Sequence, residues 1–147
     1  MKLKDFDFRI WSVKKEKYLD ELYSNIISLS SDKSIKGYNR NYKILAIEFS
    51  PYDSIPLMND NEECFEIELF TGVYDKKGKK VYENDIVKVK SLYDYFLAKI
   101  SIHKEGTFYF EGKNGDYIGS LIYLVEDEGY TIETIGNIHE NKELLKG

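Results

Sequence analysis

Leu69-Phe70-Thr71-Gly72-Val73-Tyr74-Asp75-Lys76-Lys77-Gly78-Lys79-Lys80-Val81-Tyr82-Glu83-Asn84-Asp85-Ile86-Val87 is the stretch that decides the fold. Residues 73–82 read as a β-hairpin. Asp75 can cap the turn with its carboxylate, and Gly78 can take the positive φ that closes it. Glu83-Asn84-Asp85 is a second tight turn, feeding the strand Ile86-Val87-Lys88-Val89-Lys90. Upstream, Phe65, Ile67 and Leu69 alternate with Glu66 and Glu68, the period-two pattern of a half-buried strand.

Downstream the period stays at two. Phe96, Ala98, Ile100 and Ile102 alternate with Leu97, Lys99, Ser101 and His103. Lys104-Glu105-Gly106 turns the chain, Thr107 to Glu111 returns it, and Tyr130 to Ile135 supplies one more strand. Short strands at this spacing predict a small antiparallel barrel or sandwich. Nine of the ten glycines lie at Gly72 or later, so turns concentrate in the second half.

The first half is less regular. Asp7 to Trp11 and Lys17 to Leu19 fit a hairpin around residues 12–16. Leu19, Leu22, Tyr23 and Ile26 fit helical spacing, so segment 18–30 stays open between helix and strand. Tyr42 to Phe49 reads as a strand. Ser50 to Asn61 carries both prolines, Pro51 and Pro56, among Asp, Asn and Ser, the composition of a linker. The expected organisation is an α+β N-terminal part over 1–50, a linker over 51–63 and a β-barrel part over 64–147, with packing into one domain left open. At the far end, Asn141 is placed to N-cap one helical turn over residues 142–145.

Three segments, in order, resemble the YopX family of phage and prophage proteins from Gram-positive bacteria. Phe8-Arg9-Ile10-Trp11, with Lys14, Lys15 and Tyr18 behind it, is similar to the family's F-R-A-W signature. The stretch quoted first is similar to its Y-T-G-L-x-D-K-N-G-K-E-I-Y-E-G-D-I-V block. Ile132 to Leu145 is similar to its I-E-V-I-G-N-I-Y-E-N-P-E-L-L ending. Asn84 replaces a Gly, and both residues tolerate positive φ. Lys142 replaces a Pro and His139 a Tyr. The resemblance implies a mainly β fold with a Src-homology-3-like barrel in the C-terminal part, frequent self-association, a host bacterial cytoplasm, and no established reaction.

Composition narrows the function classes. The 147 residues carry a net charge of −5 from 21 basic and 26 acidic side chains, the opposite of the basic footprint of a nucleic-acid binder. Apolar runs are far short of the roughly 20 residues that span a membrane, and no secretory signal is expected. A single cysteine, Cys64, leaves no internal disulfide and no multi-thiolate zinc site. Acids beside it disfavour a reactive thiolate. Two histidines, no phosphate-cradling loop and no metal-loop spacing give no catalytic constellation. The expectation is a protein that is not an enzyme and has no cofactor and no metal.

What remains is binding. Residues 53–68 hold six acids and no Lys or Arg, whereas residues 75–90 hold six lysines against three acids. With 13 tyrosines and 8 phenylalanines there is more aromatic area than a small core needs, which favours self-association or ring stacking. The leading expectation is a homo-oligomer that binds and sequesters a small nucleotide-derived ligand to counter host defence. Its site is assigned to Arg9, Trp11, Tyr82, Asn84, Asp85, Asn137 and Asn141. Arg9 and Trp11 alternate on one strand, so a guanidinium fork and a flat ring sit near each other. The competing expectations are a protein-interaction module acting on a host enzyme, and nucleic-acid binding through the Lys76 to Lys90 hairpin. The same signature residues also serve as turns that pin strand register.

Overall fold

A computed structural model describes residues 2–19, 26–30, 44–50, 53–57 and 65–146. Among them the protein is almost wholly antiparallel β, as the alternating patterns predict. The chain divides into two compact units. One comprises Met1–Arg9 with Glu68–Gly147, the other Ile10–Ile67. Strands β1 (Phe8–Ser12) and β6 (Phe65–Tyr74) carry the chain from one unit to the other.

In the unit Ile10–Ile67, the end of β1 pairs with β2 (Lys17–Tyr18), with Trp11 opposite Tyr18 and Ser12 opposite Lys17. This is the hairpin form of the N-terminal segment. The Trp11 and Tyr18 rings meet edge-on at 4.9 Å between centroids, a geometry aromatic pairs favour. β3 (Ile26–Ser30), β4 (Ile44–Ser50) and β5 (Asp53–Leu57) form a three-stranded antiparallel sheet in that order. The described part of segment 18–30 is therefore strand, while Leu22 and Tyr23 lie outside the described residues. Within the stretch read as a linker, β5 is a strand paired to β4.

The larger unit holds the barrel-like part. β7 (Lys80–Tyr82), β8 (Asp85–Lys90), β9 (Tyr95–Ile102), β10 (Phe108–Glu111), β11 (Tyr117–Ser120) and β12 (Thr131–Asn137) follow β6. A five-stranded sheet runs β11-β10-β9-β8-β12, and β7 pairs with β6. The β6–β7 turn bonds onto β12, where Lys76 N–H donates to Ile132 O at 2.9 Å and Thr134 N–H to Asp75 Oδ2 at 3.2 Å. This curls the strands into a half-barrel. Inside it lie Val73, Val81, Val87, Val89, Ala98, Ile100, Phe110, Leu121 and Ile132, with Phe96, Phe108, Leu124, Val125 and Tyr130 around them.

The turn chemistry follows the sequence. Asp75 Oδ1 accepts from the N–H groups of Lys77 and Lys79, both at 2.9 Å, and Gly78 has φ 81°. Asn84 sits at φ 69°. Three features differ from expectation. Asn141 precedes the 3-10 turn Lys142–Leu145 without capping it; its Oδ1 accepts from Asn137 N–H at 3.2 Å instead. A single π-helical turn, Tyr123–Asp127, interrupts the strands. Finally Glu68, on the polar phase of β6, is wholly buried. The register of β6 shifts between Phe70 and Tyr74 around Gly72, which has φ 85°, so the strand's inward phase is not continuous.

Candidate functional site

An isolated buried carboxylate is expensive unless charges and hydrogen bonds compensate it. Glu68 has such compensation from three parts of the chain. Arg9 on β1 places Nε 2.8 Å from Glu68 Oε1. Asn84, in the β7–β8 turn, donates its side-chain amide to Glu68 Oε2 at 2.6 Å. His139, just after β12, sets Nε2 3.0 Å from the same oxygen. Both carboxylate oxygens of Glu68 are thereby occupied.

The guanidinium of Arg9 continues the network. Its Nη2 lies 2.8 Å from Asp85 Oδ1 and donates to Glu83 O at 3.2 Å. Its carbon lies 4.8 Å from the centre of the Tyr82 ring. A planar fork with several donors can serve two carboxylates and a carbonyl at once, which an ammonium cannot do in one plane. Asp85 Oδ2 in turn accepts from Tyr82 N–H at 2.8 Å, closing the turn. Burial pushes the Asp85 carboxyl above its ordinary value, against the opposing Arg9 charge and the Tyr82 N–H.

Neighbouring groups hold this arrangement in place. Asn84 N–H donates to Ile100 O at 2.8 Å, and Asn84 O accepts from Ile138 N–H at 3.0 Å. The positive φ of Asn84 aims both groups, and Asn pays less for that conformation than most residues. Asn137 Oδ1 accepts from the N–H groups of His139 and Glu140, at 3.0 and 2.9 Å, and so fixes the turn that carries the imidazole. Asp7 accepts from Lys80 Nζ at 2.8 Å and from the Tyr82 hydroxyl. Burial raises the Asp7 carboxyl, but those two side-chain donors and Phe8 N–H bring it below its ordinary value.

Of the residues nominated from the sequence, the structure brings Arg9, Tyr82, Asn84 and Asp85 together. Asn137 and Asn141 support the His139 turn. Trp11 packs on Tyr18 in the other unit. Local sequence carries no signal for Glu68 or His139 as site residues. By alternation Glu68 reads as one of two outward acids, and His139 reads as a simple replacement in the C-terminal motif.

Chemically, the cluster is a charge-assisted cross-link between β1, β6, the β7–β8 turn and the segment after β12. A carboxylate oxygen and an imidazole nitrogen 3.0 Å apart are ligand types for a metal ion. Here the Glu68 oxygens already take Arg9 and Asn84, and a cation would face the guanidinium.

Together these features define a small, mainly antiparallel β protein whose half-barrel is locked by a buried arginine-carboxylate network. The chain belongs to the YopX family: the model of that family, described as YopX protein, matches residues 7–146. It is similar in structure to protein EF1440 from Enterococcus faecalis, at 26% identity and a TM-score of 0.55, covering 96% of this chain and 98% of that one. It is also similar to protein yopX from Bacillus subtilis, at 19% identity and a TM-score of 0.56, covering 93% and 95%, a likeness of fold. No curated protein matches the chain. Among the described residues no helix is long and apolar enough to cross a membrane.

Proposed function

We propose that this YopX-family protein is a non-enzymatic phage accessory protein that acts through protein–protein contact in the host cytoplasm. Its working surface is the tip of the β8–β9 hairpin. One observation carries the reading: Leu92 and Tyr93, adjacent in that turn, are 87% and 97% exposed. Turns ordinarily display polar residues, and large apolar side chains at such a position make sense as anchors for a partner pocket.

The other two readings have less support. The nucleotide-ligand reading needs Arg9 to grip a phosphate, and its Nε and Nη2 already meet Glu68 and Asp85. The nucleic-acid reading needs the lysines of the stretch Lys76 to Lys90, three of which are held in ion pairs. Lys76 and Lys77 pair with Glu133 at 2.7 and 3.1 Å, and Lys80 pairs with Asp7 at 2.8 Å.

The test replaces Tyr93 with a photo-crosslinking residue in the full chain, expressed in the bacterial host. A single defined protein adduct is expected, and it should disappear when Leu92→Ser is added. Absence of any adduct, together with nucleotide released from denatured protein and calorimetric binding of that nucleotide, would transfer the assignment to the small-ligand reading.

A further inference from the structure

The five-stranded sheet has two borders, β12 and β11. The β12 border is engaged by the β6–β7 turn, through Lys76 N–H to Ile132 O at 2.9 Å and Thr134 N–H to Asp75 Oδ2 at 3.2 Å. The β11 border is open: among the described residues, the backbone of Tyr117–Ser120 pairs with β10 alone. We propose that β11 accepts one further strand, an extended basic segment of a partner protein. This contact is separate from the hairpin tip and does not rest on it.

Unpaired main-chain groups along a border bind an extended chain by continuing the ladder. Natural sheets guard such a border with lysines, prolines or bulges. Tyr117-Ile118-Gly119-Ser120 has no charge and no proline. Its register shift leaves Ile118 without an opposite residue, and that apolar side chain is displayed, 37% exposed. Behind the strand the inner face is filled. A Cβ on Gly119 would lie 2.7 Å from Leu124 Cδ1, so Leu124 packs directly against it. The border is thus held in place before anything binds, and docking orders little that was free.

The outer face specifies a side chain of the arriving segment. His103, just past β9, stacks on Tyr109 of β10 at 4.1 Å between centroids and 19° between planes. Tyr109 meets Tyr117 of β11 at 5.5 Å. The rings follow one another across the strands at close to the strand spacing of roughly 4.8 Å. The row stops at Tyr117 because the sheet stops there, which leaves that ring 58% exposed. One more strand brings a side chain beside it, and an aromatic or β-branched residue at that position continues the row as a cross-strand pair.

Charge selects a basic segment. Asp116 directly precedes the border strand, and Glu126 and Asp127 lie in the π-helical turn that follows it; all three are exposed. None of the three is held in an ion pair among the described residues. Lys113, in the β10–β11 turn, is the one Lys or Arg from Gly112 to Asn141. Lys99 is already paired with Glu111 at 2.7 Å. Lys88 and Lys90 stand on β8, with β9 and β10 between them and β11. Lysines or arginines at the ends of the arriving strand therefore meet carboxylates at the rim, where charge steers encounter.

Fluorescence anisotropy with the labelled peptide Lys-Thr-Val-Tyr-Val-Thr-Lys on the full chain tests this. Saturable binding is expected, with the backbone amides of residues 117–120 gaining protection from hydrogen exchange. Two companion peptides separate the causes. Lys-Pro-Pro-Tyr-Pro-Pro-Lys keeps the ring and the charges but lacks the N–H groups of a ladder, and Glu-Thr-Val-Tyr-Val-Thr-Glu reverses the ends. Each should bind at least about tenfold more weakly. Tyr117→Lys removes the last ring and guards the border with a cation, so it should also cost about tenfold or more, with the melting temperature unchanged. No saturable binding of the first peptide, equal binding of either companion, or full binding to Tyr117→Lys overturns the inference. So does protection of residues 117–120 that rises with protein concentration alone, since a second copy then takes the border. The hairpin-tip reading stands in each of these cases.

Discussion

Arg9 Nε stands 2.8 Å from Glu68 Oε1, joining residues 59 positions apart in a carboxylate that is fully buried. A pair of this kind is worth little compared with a well-packed apolar substitute, but removing one partner leaves a stranded charge. Arg9→Met should therefore destabilise the fold by about 3–5 kcal/mol, read from the urea midpoint and m-value. A loss below about 1 kcal/mol would show that water reaches Glu68 freely.

Asn84 separates two effects at one position. Its side chain bonds Glu68 at 2.6 Å while its backbone holds φ 69°. Asn84→Gly removes the amide and keeps the turn, so it should cost about 1–3 kcal/mol, the value of a hydrogen bond to a charged group. Asn84→Ala loses the same bond and adds about 1 kcal/mol of left-handed strain. Thermal unfolding of the two variants should rank Ala below Gly.

Asp85 gives a pH signature. Burial holds its carboxyl above 3.8 in the folded protein, so folding favours the protonated form. The stability it contributes is complete below that value and is lost as pH rises through the folded pKa. Asp85→Asn should thus gain ground on the wild type as pH climbs upward from 3.8, apart from a constant penalty for the weakened Arg9 contact. Urea titrations of both proteins at several pH values give the difference directly.

Asp75 should behave in the opposite sense. Burial raises its carboxyl, but the N–H groups of Lys79, Thr134 and Lys77 and the Lys79 charge bring it below 3.8. Its contribution is present above 3.8 and fades as pH falls through the lower folded value. Asp75→Ala should cost about 1.5–3 kcal/mol at neutral pH, with the gap to wild type narrowing in acid.

Leu92→Ser and Tyr93→Ser should leave the melting temperature nearly unchanged, since exposed substitutions usually stay within about 0.5 kcal/mol. Calorimetry on each variant checks this, and it keeps any loss of association from being misread as unfolding.

The hairpin at Asp75 and Gly78 could be read from the sequence because every group it needs lies within a few residues. The same holds for the strands through Val87, Ala98 and Phe110, where inward residues recur at period two. Glu68 could not be read that way. Its partners Arg9, Asn84 and His139 lie 59, 16 and 71 residues away, and only the closed fold brings them near. Local alternation therefore assigned it to solvent. His139 reads in the sequence only as a change of residue type in a motif. Strand β11, with Tyr117 and Ile118 both exposed and adjacent, carries no alternation at all. Arg9 and Trp11 were grouped by their spacing, whereas the structure lays the guanidinium over Tyr82 and sets Trp11 against Tyr18.

The order in which Glu68 acquires its neighbours has a bearing on synthesis. As the polypeptide leaves the ribosome, Arg9, Glu68, Asn84 and Asp85 emerge well before His139 and the Asn137 turn that aims it. Until those last residues are out, the half-barrel has its cation but not its imidazole, and a nascent molecule stopped short of them is a poorer fold than its strand count suggests. A protease that trims the final segment would thus loosen the buried charge network as well as shorten the tail.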